Sequence, residues 1–274
     1  PGSVALLLPT SGTTSRPKLV PLTHFNICTS AYASVAATAL GAADRCLSVL
    51  PLYYGLGLNA TVLASLAAGA SVICTPGCDV TKFFAWLTDF RPTWCAAVPT
   101  MLQAILAQAR LNGERVADCP LRFIRTATAP LPRRIFTELE QIFAAPVINF
   151  YGMTETASAP ITMNPLPPRQ RKAGSVGMPV WLDVAIMGDG GALLPRGESG
   201  QVVVRGASVM SGYDGAPLAN QAAFAGDWFK TGDNGFFDDD GYLFLVGRSQ
   251  EIINRGGEKI APQEIDDVLL EHPA

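Results

Sequence analysis

Short apolar runs alternate with longer helix-like stretches from the amino terminus to about residue 150. The apolar runs occupy residues 4–9, 47–51, 71–75, 93–99, 122–128 and 146–152, and the helix-like stretches occupy residues 26–40, 59–69, 80–90, 100–110 and 133–143. Continuous apolar strands separated by amphipathic helices are typical of a buried, largely parallel sheet with helices on its faces. Asp79 and Thr100 are the predicted N-caps of two of these helices. The alternation predicts an α/β subdomain over about residues 1–152.

The pattern changes after Gly152. A proline-rich stretch at residues 160–174 predicts a surface loop. Segments of alternating polarity follow between Gly- and Asp-rich turns, at residues 183–187, 201–206 and 242–247. Such alternation is typical of antiparallel strands. We therefore expect a smaller β-rich subdomain over about residues 175–249.

The end of the chain has a third character. Residues 250–274 begin with one short predicted strand, EIINRGGEKI, and reach a predicted helix start at Pro262. The sequence stops within that helix, so we interpret this part as the truncated start of a C-terminal domain. Residues 1–249 would then form a core made of the two subdomains.

Composition excludes several classes of protein. The 274 residues are 49% hydrophobic, which is enough for a sizeable core. Twenty Lys and Arg stand against 23 Asp and Glu, a net charge of -3, and without a basic run nothing favours nucleic-acid binding. No apolar run is long enough to predict a membrane span. No signal peptide is evident either, so the sequence predicts a cytoplasmic protein.

Six cysteines bear on compartment and on metal binding. Most lie inside apolar segments, no C-x-x-C pair occurs, and the only two histidines are far apart in sequence. A zinc site normally needs two clusters of such ligands. We therefore predict buried, reduced thiols.

The first candidate site is a loop rich in hydroxyl groups directly after the first predicted strand. Its backbone N–H groups, hydroxyls and terminal lysine are the donors that phosphate oxygens need. An ordinary surface turn is the alternative, and the loop is not a Walker A motif because Pro17 precedes its lysine and Leu19 follows it. The candidate phosphate-binding residues are Thr10, Ser11, Gly12, Thr13, Thr14 and Lys18.

A second cluster, N-F-Y-G-M-T-E at residues 149–155, follows a predicted parallel strand. Ligands of open α/β sheets bind at that end of the strands. A tyrosine ring can stack on a nucleobase, an amide can bind its edge, and a carboxylate can hold Mg²⁺. A strand end followed by a helix cap is the alternative.

A third cluster lies at residues 228–248 and includes Asp233 and Arg248. A carboxylate suits a pair of ribose hydroxyls, and a guanidinium can donate to ribose or phosphate. The alternative is a β-hairpin with a turn at Asp240-Gly241. A calcium loop at residues 238–240 lacks the required spacing and terminal Glu.

Together these stretches resemble the adenylate-forming superfamily, which includes acyl-CoA synthetases, nonribosomal adenylation domains and luciferases. S-G-T-T-S-R-P-K resembles the phosphate loop of that family, N-F-Y-G-M-T-E its Y-G-x-T-E motif, and K-T-G-D, G-Y-L-F-L-V-G-R and G-G-E-K-I-A-P-Q-E-I its later motifs. The resemblance extends from about residue 4 to residue 272. Among subfamilies it is strongest for acyl-CoA ligases, including the oxalate-CoA ligase group.

The resemblance implies that ATP and a carboxylic acid give an acyl-adenylate and pyrophosphate, after which CoA displaces AMP to form a thioester. The loop at residues 10–18 would hold the outer phosphates, Thr154 would contact the α-phosphate, and Glu155 would hold Mg²⁺. Asp233 and Arg248 would bind the ribose. The adenine would lie against Ala127, Thr128, Ala129, Pro130, Asn149, Phe150, Tyr151 and Gly152.

The resemblance also implies a small mobile C-terminal domain that is hinged near Gln250. Gly256 and Gly257 would line the CoA tunnel, and Lys259 would face the site during thioester formation. The lysine that the family uses for adenylation lies beyond residue 274. We therefore expect the 274-residue chain by itself to bind nucleotide and to adenylate poorly.

The acid-binding part of the site follows less directly from the motifs. Tyr54 replaces the histidine that many acyl-CoA ligases have in this segment, and Phe150 fills a position that is commonly small. A mainly apolar pocket formed by Tyr54, Leu56, Ala60 and Phe150 favours a hydrophobic or ring-bearing acid. The motifs fix neither the acid nor the oligomeric state.

Two alternatives remain open. An adenylation enzyme could load a non-amino acid onto the phosphopantetheine of an acyl carrier protein. Amino-acid-activating members usually have an Asp near Tyr54, and none lies between Leu47 and Leu63. The second alternative is a non-catalytic nucleotide-binding protein on the same scaffold.

Overall fold

The amino-terminal segment forms a two-stranded hairpin. The computed structural model describes residues 1–10, 17–248, 253–255 and 258–260. Strand β1 (Val4–Thr10) pairs antiparallel with β2 (Lys18–Thr23). The prediction that residues 4–9 begin the parallel sheet is therefore wrong. The connection to β2 is too short for the helical crossover that a parallel pair requires, so the two strands can only pair antiparallel.

Five parallel strands form most of a second sheet, and each lies where an apolar run predicted it. They are β3 (Arg45–Ser48), β4 (Ser71–Cys74), β5 (Trp94–Ala96), β6 (Phe123–Thr126) and β7 (Val147–Tyr151), in the spatial order β4-β3-β5-β6-β7. The predicted α/β class is confirmed.

Helices cover both faces of this sheet. They are α1 (His24–Thr38), α2 (Gly55–Gly57), a π-helix (Leu58–Leu63), α3 (Ala64–Ala67), α4 (Val80–Phe90), α5 (Pro99–Ala109), α6 (Gly113–Ala117) and α7 (Arg133–Phe143). Side chains alternate between faces along each strand. Thus Cys95 and Ile124 pack with α4, α5 and α7, whereas Trp94 and Phe123 pack on the side of α1 and the π-helix.

One of the two predicted N-caps is correct. The Asp79 carboxylate accepts hydrogen bonds from the N–H groups of Thr81 and Lys82 at 3.0 and 3.2 Å, and α4 has the predicted bounds. Thr100 is not a cap, because α5 begins one residue earlier. Its first residue is Pro99, whose fixed φ suits the first helical position and whose missing N–H costs nothing there.

Residues 160–164 do not form the predicted surface loop, since all five are buried. Strand β8 (Thr162–Met163) pairs antiparallel with the end of β7, and β9 (Met178–Pro179) pairs with β8. These two short strands cover the edge that β7 would otherwise leave unpaired. The backbone approach is so close that a Cβ at Gly177, whose φ is +89°, would collide with the Met163 backbone.

A third sheet, which is antiparallel, forms the predicted β-rich region. Its strands are β10 (Asp183–Met187), β11 (Gly200–Arg205), β12 (Phe224–Ala225), β13 (Trp228–Phe237) and β14 (Leu243–Arg248), with α8 (Pro217–Ala223) before β12. Val204, Phe229 and Leu243 from this sheet pack with Val20 and Leu22 of β2. The hairpin of β1 and β2 therefore shares a core with this antiparallel sheet.

Near the end of the chain, β15 (Ile253–Arg255) pairs antiparallel with β16 (Glu258–Ile260). The single strand predicted here is thus two strands. Pro262 and the helix predicted after it lie outside the described residues. The division into domains at residue 249 stays a prediction.

The cysteines divide into two groups. Cys46, Cys95 and Cys119 are buried free thiols, as predicted, but Cys28 and Cys74 are exposed. Cys74 ends β4, an edge strand with a neighbour on one side only. Among the described residues, no helix is both long and apolar enough to cross a bilayer.

Candidate functional site

The carboxyl ends of β6 and β7, with the loops that follow them, carry the predicted adenine-binding residues together with Thr154 and Glu155. Residues 127–130 follow β6, and residues 152–156 follow β7. Because Thr126 and Asn149 are partners in the register of β6 and β7, the two loops begin side by side. The predicted adenine-binding residues therefore share one edge of the sheet, where open α/β sheets bind ligands.

Tyr151, Asp233 and Arg248 form one connected group. The Tyr151 hydroxyl donates to Asp233 Oδ2 at 2.5 Å, and Arg248 Nε lies 3.4 Å from Asp233 Oδ1. Asp233 and Arg248 are direct cross-strand partners on β13 and β14. Burial, followed by the negative charge of Asp233, raises the pKa of Tyr151 well above its usual value, so the phenol stays a neutral donor. The last residue of β7 is thereby joined to the antiparallel sheet.

Glu155 and Lys18 share one neighbour, Tyr213. The Tyr213 hydroxyl donates to Glu155 Oε1 at 2.8 Å, and Lys18 Nζ lies 4.7 Å from the centre of the Tyr213 ring. The Glu155 side chain is buried, and burial together with this carboxylate raises the pKa of Tyr213. The structure thus brings the predicted phosphate-binding cation and the predicted magnesium ligand to one aromatic ring. The sequence analysis missed Tyr213, because S-G-Y-D-G reads as a turn.

The loop that carries Thr154 and Glu155 is held under backbone strain. Ala157 and Ser158 have φ values of +56° and +57°, which are unfavourable for residues other than Gly. The Ala157 carbonyl accepts hydrogen bonds from Ser30 Oγ at 2.9 Å and from Asn59 Nδ2 at 3.0 Å. Two buried donors from α1 and the π-helix therefore fix the position of the Glu155 segment.

Asn149 is also oriented by its neighbours. Its side-chain amide donates to the Ser175 carbonyl at 2.8 Å, and its oxygen accepts from the Asn164 amide. In the neighbouring loop, Ala127 is buried, Thr128 has φ +79°, and residues 128–130 are exposed. The exposed loop and the fixed amide border the same side of the sheet.

Three of the four predicted acid-pocket residues lie together. Leu56, Ala60 and Phe150 belong to one buried cluster on the α1 side of the sheet. The structure does not place Tyr54 with them: this residue is 61% exposed, and its ring lies 5.1 Å from that of Tyr53. Gly152 is close by, and a Cβ there would meet the Ala159 carbonyl oxygen at 2.6 Å.

Arg125 on β6 is a polar residue of this cluster that the sequence analysis missed. It is 1% exposed, and its guanidinium lies 5.0 Å from the Trp94 ring and 5.3 Å from the Phe150 ring. Strand alternation would have placed it on the same face as Phe123. What the sequence lacked was a sign that a charged residue on this buried strand would lie beside the predicted acid-pocket residues.

The acidic run at residues 238–240 has a structural role. Lys172 Nζ lies 2.5 Å from Asp238 Oδ2 and 2.6 Å from Asp240 Oδ2. The hydrogen bonds that Lys172 donates to these two carboxylates raise its pKa. The predicted turn at Asp240-Gly241 is present, with Gly241 at φ +82°. Lys172 thus pairs with two of the three carboxylates in this run, and the turn closes the β13–β14 hairpin.

Several predicted site residues lie where the structure gives little or no description. Thr10 ends β1 and Lys18 begins β2, so the two residues flank the predicted phosphate loop and are register partners. The backbone of Lys259 belongs to β16. The residues outside the described part of the chain are Ser11, Gly12, Thr13, Thr14, Gly256 and Gly257.

The fold is of the α/β class, and comparison with known sequences gives the family. The profile of the family described as AMP-binding enzyme matches residues 1–214, and the chain belongs to this family. It is 46% identical to the oxalate–CoA ligase of Arabidopsis thaliana over the whole chain, which spans 53% of that protein. It is 42% identical to the sulfoacetate–CoA ligase of Cupriavidus necator, again over the whole chain and 53% of the relative.

Solved structures agree with the sequence comparison. The ATP-bound MatB from Rhodopseudomonas palustris superimposes with a TM-score of 0.91 at 30% identity, over 98% of this chain and 53% of that one. The resemblance stated from the motifs is therefore confirmed for family and fold. The chain spans about half the length of the curated relatives it matches.

Proposed function

We propose that the protein activates a carboxylic acid with ATP, releasing pyrophosphate, and then transfers the acyl group from AMP to the thiol of CoA. The observation that carries this proposal is the position of Lys18, Glu155 and Asp233 around one edge of the sheet, in a chain of the AMP-binding enzyme family. A cation, a buried carboxylate and a second carboxylate that can accept hydrogen bonds from ribose hydroxyls together suit a magnesium-nucleotide.

Lys18 and Glu155 would act on the phosphate chain. Attack of a carboxylate on the α-phosphorus accumulates negative charge, so fixed positive groups supply most of the catalysis. Lys18, at the end of the predicted phosphate loop, would hold the outer phosphates together with Thr10 and residues 11–14. Thr154 would donate to the α-phosphate.

Glu155 fits a magnesium ligand. Among the residues that the structure describes, no three His, Cys, Asp or Glu side chains gather into a metal site. Mg²⁺ is commonly held by one or two carboxylates and by substrate phosphates, so a single buried carboxylate beside the phosphates suffices. When bound, Mg²⁺ neutralises phosphate charge. Tyr213 would orient Glu155 toward it through their 2.8 Å hydrogen bond.

The nucleoside would lie between the two sheets. Asp233 would accept hydrogen bonds from both ribose hydroxyls, with Arg248 donating beside it. The Tyr151 ring, fixed by its bond to Asp233, would stack on the adenine, and Asn149 would bind the adenine edge. These assignments use side chains that neighbouring residues already orient.

The thioester step is proposed from the family alone. Gly256, Gly257 and Lys259 would accompany the pantetheine arm of CoA. The carrier-protein alternative uses the same arm, so only the acceptor distinguishes the two. The acid also has two candidate classes. Two curated relatives are named for oxalate and sulfoacetate, which carry a second anionic group, whereas another is named for ring-bearing indoleacetate, and Leu56, Ala60 and Phe150 favour an apolar acid.

The experiment uses the complete natural polypeptide that carries this sequence. Acid-dependent exchange between ATP and labelled pyrophosphate reports the first step, and thioester formed with CoA or with a phosphopantetheinylated carrier protein reports the second. We expect exchange that requires both acid and Mg²⁺, and a thioester with free CoA. ATP binding without exchange for any acid would instead identify a non-catalytic nucleotide-binding protein.

A further inference from the structure

A fully buried arginine lies within the candidate acid site. Arg125 donates to the Ala60 carbonyl, and its Nη2 lies 3.4 Å from Thr61 Oγ1. Its guanidinium also lies near the rings of Trp94 and Phe150. Ala60 and Phe150 are two of the residues that the sequence assigned to the acid pocket. The positive charge therefore lies beside two residues of the predicted acid pocket.

Within the described part of the chain, this charge has no acidic partner. No salt bridge reaches Arg125, and its Nε makes no hydrogen bond. Burial lowers its pKa to about 10, which leaves it protonated at neutral pH. A buried charge is costly unless an opposite charge pairs with it. Two aromatic faces and one carbonyl do not neutralise it.

Other buried polar atoms near Arg125 are also without partners. Trp94 Nε1, whose ring lies 5.0 Å from the Arg125 guanidinium, and Oδ1 of Asn59, the residue before Ala60, make no hydrogen bond to any described residue. Native interiors rarely leave several such atoms in one place, and a group of them indicates a polar occupant. Since the other end of the Asn59 amide donates to Ala157, this polar group adjoins the Glu155 loop.

The π-helix explains how a carbonyl comes to face the guanidinium. The helix spans Leu58–Leu63 and includes Ala60, and its wider turn departs from the ordinary helical hydrogen-bonding pattern. Such turns are frequent at functional sites. The sequence L-N-A-T-V-L gives no sign of it, which is a further reason why Arg125 was missed.

From this juxtaposition we infer that Arg125 determines the specificity for the acid, by pairing with a second anionic group on a short carboxylic acid whose reacting carboxylate faces the nucleotide. The inference rests on the proposed function and names its substrate class. The Ala60 carbonyl and the Phe150 ring lie against the guanidinium, so an acid that pairs with Arg125 would reach it among small and aromatic side chains, which suits a short acid. A purely apolar acid would leave the charge buried and unpaired, so the hydrophobic acid expected from the sequence fits this site less well.

The first test compares acids of equal shape and different charge. In the complete polypeptide, pyrophosphate exchange is measured for oxalate against isobutyrate, malonate against 3-methylbutyrate, and sulfoacetate against 3,3-dimethylbutyrate. We expect kcat/KM for at least one dianion to exceed that of its neutral-tailed partner by about 10²-fold or more, as for a site built to pair a polar group. Equal or better use of the neutral-tailed acid in all three pairs would overturn the inference.

The second test uses Arg125→Met, which keeps most of the side-chain volume and removes the charge. We expect kcat/KM for the preferred dianion to fall about 10²-fold or more, mainly through KM, while its neutral-tailed partner is used as well as before or better. Arg122→Met is the matched control, because Arg122 precedes the same strand and pairs with Asp44 away from the acid site. This control should leave the ratio of dianion to neutral acid unchanged.

Two further readouts separate the possible failures. Arg125→Lys keeps the charge and loses the planar fork, so it should retain a reduced preference for the dianion even if Arg125→Met does not fold. An equal loss for both acids in either variant would show that Arg125 is only structural. If no acid supports exchange with the wild type, the proposed function fails. If exchange occurs without a preference for dianions, only this inference fails.

Discussion

The polar side chains at the two edges of the parallel sheet differ in whether they are paired with one another. At the amino edge, Asp44, Thr93 and Arg122 precede neighbouring strands and satisfy one another. The Arg122 guanidinium lies 2.6 and 2.5 Å from the two Asp44 oxygens, and the Thr93 hydroxyl donates to Asp44 Oδ1 at 2.7 Å. At the carboxyl edge, Arg125 is more deeply buried than Arg122 and has no such carboxylate among the residues that the structure describes. The same residue type, three positions apart, is paired at one edge and unpaired at the other.

This difference separates stability from function. A complete set of internal partners gives an edge that stabilises the fold and offers nothing to a ligand. The carboxyl edge has strained backbone at Thr128 and Ala157 and, among the described residues, buried polar atoms without partners, so these groups would be available to a bound substrate. Substitutions at the two edges should therefore affect different measurements, and this comparison can be tested.

Glu155→Gln should have the largest effect. The amide keeps the size and the hydrogen bond from Tyr213 but loses the charge that would hold Mg²⁺. We expect pyrophosphate exchange to fall by about 10²–10³-fold, the usual result of removing an electrostatic group from a reacting centre. Thermal stability should change little. Exposed Glu198→Gln is the matched control, and near-normal exchange by Glu155→Gln would remove Glu155 from the mechanism.

Asp233→Asn should have an intermediate effect. The substitution weakens the acceptor for the ribose hydroxyls and the link to Tyr151 and Arg248. Since a hydrogen bond to a charged group contributes about 1.5–3 kcal/mol, KM for ATP should rise about 10–100-fold. Steady-state kinetics with varied ATP would measure this. Asp183→Asn, which alters an exposed ion pair with Arg205 in the same sheet, should leave KM unchanged. An unchanged KM for ATP in the Asp233 variant would contradict the ribose assignment.

The accuracy of the sequence predictions follows from the range of the interactions involved. Helix α4 was predicted with its correct bounds, because Asp79 and the amphipathic repeat of residues 80–90 are local signals. Buried strand β8 was predicted as loop, because its place depends on pairing with the end of β7 and not on its own proline-rich sequence. Strand β1 was assigned to the wrong sheet for the same reason.

The candidate site shows the same limit. Tyr151 and Glu155 were found because they lie in one short motif, and Asp233 because a family resemblance linked it to them across 82 residues. Tyr213 and Arg125 belong to no quoted motif. Their significance comes from burial and from neighbours that only folding brings together. Residues of the nucleotide side were therefore predicted better than those of the acid side.

Asp44→Asn should have the smallest effect on activity and a clear effect on stability. Burial by itself would raise the pKa of Asp44, but hydrogen bonds from Thr93 and Arg122 outweigh it and hold the pKa below its ordinary value. A lowered pKa in the folded state stabilises the protein above the unfolded-state pKa of about 4, and this contribution is lost as the pH falls through the folded-state value. The wild type should thus lose stability below about pH 4 more steeply than the variant.

At neutral pH the Asp44 variant should be less stable by about 1.5–2 kcal/mol, since one charged partner of Arg122 is removed. Urea unfolding at pH 7 and at pH 3.5 would measure both effects, with exposed Asp189→Asn as the control. Activity per folded molecule should remain that of the wild type, because no atom of this group lies at the carboxyl edge. A fall in ATP affinity without a fall in stability would mean that the amino edge takes part in binding, and the division between the two edges would then be wrong.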